Sequence, residues 1–247
     1  MKVNKILILY FLQKYLKKYN INTQNSIANE KPLFLRLLYS VHKGAKTYYS
    51  QLLSNNDKPN CCSKWSEKLN CEMNWKQVFY KIQKIREIKL KWFQMRIVHR
   101  VLSTNIVLKE IKERTDEKCT FCGQERESLE HLFWRCNVVN NFWMLLQQRF
   151  RNKCYIADRL KFTENLVLFG VDRNMVTDKA LDEILIVAKY FIYKCKYNDC
   201  MPLLTNFICY AKSHFQVIQY NAKIKGEHEK FKESWVMYEN LSAEENT

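Results

Sequence analysis

Apolar residues recur at three and four positions through most of the chain, the spacing of helices with one buried face. Trp75, Val78, Phe79, Ile82 and Ile85 form one such series, with Lys76, Lys81 and Lys84 on the other side. From Ile88 to Leu102 a second predicted helix gathers Leu90, Phe93, Ile97 and Val101 within one arc, widened by Val98 and Leu102. Ser103-Thr-Asn105 reads as a stop and restart, capping a short helix that carries Ile106, Leu108 and Ile111. Val139, Phe142, Trp143, Leu146 and Phe150 predict a further helix, and Leu166–Phe169, closed by Gly170, reads as a short strand or buried loop. Thr177 or Asp178 caps a strong helix through Leu181, Ile184, Leu185, Ala188, Phe191, Ile192 and Cys195, ended by Asn198-Asp199. Pro202 opens another through Phe207, Ile208, Ala211, Phe215 and Ile218, and His228 to Tyr238 is a weaker terminal one. Upstream, residues 1–19, the stretch after Pro32 through Leu33, Leu37, Leu38 and Val41, and Tyr48–Leu53 also suit helices, before the polar linker Ser54–Pro59.

Composition agrees with an all-α chain. Only 4 Gly and 3 Pro serve 247 residues that include 14 Phe, 14 Tyr and 6 Trp, a balance that starves turns and favours long helices. The expected fold is an irregular multi-helix array with a small embedded Cys3His zinc knuckle. Three segments are expected: an N-terminal helical segment over 1–59, basic helices with the knuckle over 60–150, and a C-terminal helical region with an acidic tail over 151–247.

Charge adds a partner class. Lys and Arg number 41 against 25 Asp and Glu, a net +16 that attracts a polyanion, nucleic acid before an anionic membrane. Residues 75–115 hold eleven Lys or Arg against three Glu, a net +8, whereas residues 227–247 carry a net −4. On the helix after Ile88, Lys89, Arg96 and Arg100 align beside the apolar arc, with Lys91 close by and Trp92 and His99 flanking them. Cations beside an aromatic plane neutralise phosphates and stack a base; an ordinary solvated basic face with Trp92 as partial core has the same pattern.

The chemistry concentrates in Cys119-Thr-Phe-Cys122, followed by His131-Leu-Phe-Trp-Arg-Cys136. Two thiolates two residues apart grip one metal ion from a tight turn, and an imidazole with a third thiolate completes a closed tetrahedral zinc site. Gly123 follows the second ligand, where positive φ lets the turn close. Residues from Ser128 to Trp134 predict one or two helical turns. His131 and Cys136 are five apart, about 140° on a continuous α-helix, so the helix is expected to end near Arg135. Glu130 beside His131 invites a deaminase reading, but four protein ligands leave no bound water to activate. Cys61, Cys62 and Cys71 match no second site and read as structural.

Other chemistries lack their residues. No Gly-rich phosphate loop, no Gly-x-Ser-x-Gly elbow and no adjacent pair of Asp residues on a strand-like run occurs. No catalytic residue, enzymatic activity or small-molecule substrate is expected. Ile6–Leu12 is followed by Gln13-Lys-Tyr-Leu-Lys-Lys18 where a cleavage site would stand, and no apolar run reaches the roughly 20 residues that span a bilayer. The expectation is an intracellular, reducing compartment, nucleus or cytoplasm, with no membrane partner.

The run Lys89-Leu-Lys-Trp-Phe-Gln-Met-Arg-Ile-Val-His-Arg-Val-Leu-Ser-Thr-Asn105, the knuckle Cys119–Cys136 and the trailing Asn141-Phe-Trp143 resemble the zinc-binding region that follows the polymerase in LINE-type, non-LTR retrotransposon reverse transcriptases. The likeness extends back to Tyr39–Gly44 and forward through Leu166–Gly170 and Ala188–Cys195. It implies Zn2+ held by Cys119, Cys122, His131 and Cys136, and a helical region that helps a parent enzyme hold template RNA and target DNA. The polymerase and endonuclease residues of that family are missing, so the chain looks like a C-terminal fragment whose partners are RNA or DNA and the polymerase part of a parent polyprotein. Lys89, Lys91, Trp92, Arg96, His99 and Arg100 are assigned to nucleic-acid contact from charge and spacing. The rival readings are a structural or protein-interaction module and an inert remnant that still folds.

Overall fold

A computed structural model describes residues 59–153, 161–171 and 179–227, together with 229, 236 and 239–241. The helices expected within residues 1–53 and the cap at Thr177 or Asp178 lie outside the described residues, as do the linker before Pro59 and most of His228–Tyr238. The chain divides into two compact units, Met1–Glu72 and Met73–Thr247, each described by itself.

The described part of the first unit is α1 (Asn60–Leu69). Pro59 precedes its first turn, where a missing amide hydrogen costs nothing. Asn70 ends it in the left-handed conformation at φ 48° and donates its amide hydrogen to the Ser66 carbonyl, a conformation Asn tolerates better than most residues. Cys61, Cys62 and Trp65 are buried and Cys71 is half-buried.

Among its described residues the regular elements of the second unit are all helical, and its one β-type pairing is an isolated bridge between Lys118 and Arg126. Its elements are α2 (Trp75–Lys84), α3 (Ile88–Val98), α4 (Asn105–Glu110), a π-helical turn (His131–Arg135), α5 (Asn137–Lys153), α6 (Glu164–Phe169), α7 (Lys179–Tyr197) and α8 (Leu204–Ile224). α7 is the spine and packs against α3 and α8; α3 also meets α2 and α6, and α5 meets α8 and the π turn. The central position of α7 follows from its sequence, since Leu181, Ile184, Leu185, Ala188, Phe191, Ile192 and Cys195 are all buried.

The apolar arcs read from the sequence enter one core. Leu90, Phe93 and Ile97 from α3 and Val139, Phe142, Trp143, Leu146 and Phe150 from α5 are buried. Phe93 stands edge-on to Phe133 of the π turn at 6.0 Å and to Tyr190 of α7 at 5.1 Å, a geometry that sets ring edge against ring face.

Leu166–Phe169 departs from the expected strand or loop. Thr163 caps it by accepting the Leu166 amide hydrogen at 3.2 Å, and Gly170 closes it at φ 72°. Leu166, Val167, Leu168 and Phe169 are all buried, so the run is apolar all round and carries no helical period to read. A short helix enclosed on every side looks like a buried strand in sequence.

A buried lysine sits in this core. Lys189 on α7 donates to Gln94 Oε1 and, at 3.1 Å, to the Leu168 carbonyl, which also accepts from Gln94 Nε2 at 2.7 Å. Burial pulls its ammonium down to about 7, against the opposing charge of Asp182.

Candidate metal centre

The knuckle is built on a small antiparallel turn. Glu127 donates its amide hydrogen to the Glu117 carbonyl at 2.8 Å and Cys119 donates its own to the Glu125 carbonyl at 2.8 Å. Gly123, at φ 66°, closes the turn by donating to the Cys119 carbonyl at 2.9 Å. The Phe121 amide points at Cys119 Sγ, 3.4 Å away, which stabilises charge on that sulfur.

His131 and Cys136 come from the returning segment, and here the structure replaces the expected helix end with a widened turn. Residues His131–Arg135 are π-helical, and Cys136 donates its amide hydrogen to the His131 carbonyl at 2.9 Å. Closing a turn over five residues brings positions five apart to one side, which an α-helix cannot do. Widening the turn leaves the Phe133 carbonyl to be satisfied from outside, and Trp143 Nε1 donates to it at 2.7 Å. Ser128 anchors the entry by accepting the His131 amide hydrogen on Oγ at 3.1 Å.

The four donor atoms of Cys119, Cys122, His131 and Cys136 all lie within 4.8 Å of one another, the one metal-type cluster among the described residues. Cys119 Sγ is 3.9 Å from Cys136 Sγ, and Cys122 Sγ is 3.4 Å from His131 Nε2. Bond lengths of about 2.3 Å to sulfur and 2.0–2.1 Å to nitrogen around a regular tetrahedron give edges of about 3.8 Å and 3.6 Å. The observed edges fit zinc, and a set of three sulfurs and one imidazole fills all four positions. Such a site builds structure and leaves no place for an activated water.

Neighbouring groups prepare the ligands. His131 turns Nε2 toward Cys122 and places Nδ1 3.2 Å from Glu125 Oε2, off the line of a hydrogen bond. Cys136 stands directly before α5. Its thiol is held down to about 5, first by the Cys119 thiol hydrogen and then by the Val139 and Val138 amides, while burial opposes the shift. The same contact pushes the Cys119 thiol up; the thiol at the helix start is the readier thiolate.

Behind the knuckle lies a polar network whose partners are far apart in sequence. Glu127, fully buried, accepts the Asn105 amide hydrogen on Oε1 at 2.9 Å and that of Thr120 on Oε2 at 2.9 Å. It thus caps α4 and the metal loop with one carboxylate, where Thr104 makes no side-chain cap. Asn105 Nδ2 donates to the Lys118 carbonyl at 2.6 Å and to Thr120 Oγ1 at 3.1 Å. Lys196 of α7 completes the group, 3.2 Å from Glu127 Oε1 and donating to Asn105 Oδ1 at 2.8 Å. In sequence, Ser103-Thr-Asn105 offers a local hydroxyl or Asn cap, and nothing points to Glu127 or Lys196; no spacing rule links positions so far apart.

The basic positions separate into two groups. Lys89, Trp92 and Arg96 share one face of α3 at i, i+3 and i+7, with His99 at its end. Trp92 is 62% exposed, and Lys89 and His99 are exposed. Lys89 Nζ lies 5.0 Å from the centre of the Tyr190 ring, and hydrogen bonding to that tyrosine raises the Lys89 pKa. Lys91 and Arg96 are half-buried, and neither has an ion-pair partner among the described residues. Arg100 departs from the expected row. α3 ends at Val98, Arg100 turns left-handed at φ 58°, and its Nη1 lies 3.5 Å from Glu130 Oε1. Glu130 is fully buried beside His131, so this pair ties the end of α3 to the knuckle.

Among the described residues, no helix is long and apolar enough to cross a membrane, and nine free cysteines form no disulfide. Residues 45–143 match the family model described as zinc-binding in reverse transcriptase, a span that contains α1 to α4, the whole knuckle and the first part of α5. No curated protein matches the chain in sequence.

Proposed function

We propose, from the premise that residues 45–143 form a zinc-binding region of the kind found in reverse transcriptases, that this chain is a non-catalytic module that grips nucleic acid. In this reading it serves a LINE-type, non-LTR retrotransposon reverse transcriptase by handling template RNA and target DNA. Zinc fastens the knuckle, the knuckle fastens the end of α3 through Glu130 and Arg100, and α3 presents the binding face. The observation that carries the reading is Trp92, an indole left 62% exposed with Lys89 and Arg96 on the same face. A single strand meets such a face by stacking one base on the ring and laying phosphates on the cations.

The test is a salt-titrated binding curve of labelled single-stranded RNA and DNA on the zinc-loaded chain. Trp92→Ala should weaken binding by about 1–3 kcal/mol, the range for one stacked base. Lys89→Ala and Arg96→Ala should each flatten the salt slope by about 0.7, one single-strand phosphate contact apiece. Because Arg100 is engaged by Glu130, its loss should act through stability instead. Binding unchanged in all three variants refutes the face, and tight capture of a purified polymerase segment without nucleic-acid affinity would favour a protein-interaction module.

A further inference from the structure

The end of α7 holds two thiols outside the metal centre. Cys195 is buried and Cys200 is exposed. Between them the chain turns through Asp199, left-handed at φ 48°, and the Cys200 amide donates to the Cys195 carbonyl at 3.0 Å. This is the Schellman arrangement of a helix end, in which the residue just past the left-handed turn folds back over the third residue from the end and their side chains meet. Here both of those residues are cysteine, the buried one on the last turn of the helix and the exposed one folded back over it by the backbone.

We propose that Cys195 and Cys200 form an oxidation site that closes to an intramolecular disulfide on meeting a low-molecular-weight disulfide such as oxidised glutathione. Cys200, at the surface, attacks first. Its thiolate displaces one glutathione as thiolate and leaves a mixed disulfide on Cys200. Cys195 then gives up its proton and attacks the Cys200 sulfur, expelling the second glutathione. Two protein thiols are oxidised by two electrons, and one glutathione disulfide becomes two glutathione thiols. The order follows from access, since a buried sulfur reaches only its neighbour, and burial also pushes the Cys195 thiol up to about 12, so little of it is thiolate before the first exchange.

The location gives the bond a consequence. Lys196, which donates to Asn105 and pairs with Glu127 behind the knuckle, is the next residue after Cys195, so the disulfide would pin the helical end that supports the metal loop.

The experiment treats the zinc-loaded full chain with oxidised glutathione, alkylates the remaining thiols, digests after denaturation and maps linkages by mass spectrometry. Trypsin cuts after Lys194 and Lys196, so the proposed bond joins the dipeptide Cys195-Lys196 to the peptide beginning at Tyr197. The expected result is the loss of two alkylatable thiols in the wild type and in Cys209→Ser, and no such linkage in Cys200→Ser. Cys195 remaining alkylatable, glutathione left on Cys200 alone, or a Cys195 linkage that persists in Cys200→Ser would each overturn the proposal. Retained zinc in the same sample, measured by metal analysis, confirms that the folded chain was oxidised.

Discussion

Glu127 and Lys196 face each other at 3.2 Å with side chains 0% and 4% exposed, one from the metal loop and one from the spine of the fold. Removing one member of a buried pair leaves an uncompensated charge and costs about 3–5 kcal/mol. Glu127→Gln should therefore destabilise the zinc-loaded chain by about 3 kcal/mol or more, because its amide also offers fewer acceptors to Asn105 and Thr120. Adding Lys196→Met should recover part of the loss, and a double-mutant cycle in urea measures the coupling. Additive losses would show that the two side chains act independently.

Zinc held by these four ligands would fasten more than its own loop. Leu132 and Phe133 lie between His131 and Cys136 and are fully buried, so a metal there would fix two core residues. Cys122→Ser, or chelation of the wild type, should release residues 119–136 and also loosen α5 and α6, which pack on the π turn. Ligation in small zinc modules supplies on the order of 10 kcal/mol. Hydrogen exchange on metal-free and zinc-loaded chains checks this; loss of protection confined to 119–126 would contradict it.

Glu125 stands beside the ligating imidazole without touching the metal site. A carboxylate hydrogen-bonded to a ligating histidine is worth 10- to 100-fold in metal affinity, but Glu125 is 71% exposed and its contact with Nδ1 is not aligned as a hydrogen bond, so Glu125→Gln should cost about tenfold at most. Competition with a chromophoric chelator gives the value, and unchanged affinity would remove the carboxylate from the site's working parts.

Lys189 makes stability depend on pH in a definite direction. Its ammonium titrates near 7 in the fold and near its ordinary value when unfolded, so between those limits the unfolded chain binds the extra proton and stability rises with pH. Below about 7 both states are charged and the fold carries the whole cost of burial. Lys189→Met should flatten the rise seen in wild-type urea unfolding between about pH 7 and pH 10. Equal slopes in the two proteins would place the lysine's folded pKa near its unfolded one.

Where one face of a helix is apolar, the sequence was readable. Leu90, Phe93 and Ile97 of α3 and the arcs of α5 and α7 enter the core as their spacing demands, whereas Val101 lies past the helix end and is half-buried; the four ligands were legible because CxxC and a following His and Cys have few other uses at that spacing. The unread parts have physical causes. α6 is buried on all sides and offers no amphipathic signal. Arg100 belongs by count to the row of Lys89 and Arg96, but the helix stops two residues short and a buried carboxylate takes its guanidinium. Asn105, Glu127 and Lys196 meet only after the chain has folded.

The π turn makes the metal centre a gauge of chain length. Trp134 and Arg135 are the least enclosed of the four residues between the last two ligands, and exchanging either for another good helix former leaves the count intact. Inserting one residue there would set the two ligands six apart, about 240° round an ordinary helix, and carry Cys136 away from the imidazole, whereas four apart they would share a face. Across variants of this chain, insertions between His131 and Cys136 should therefore be purged more severely than changes of letter at those two positions.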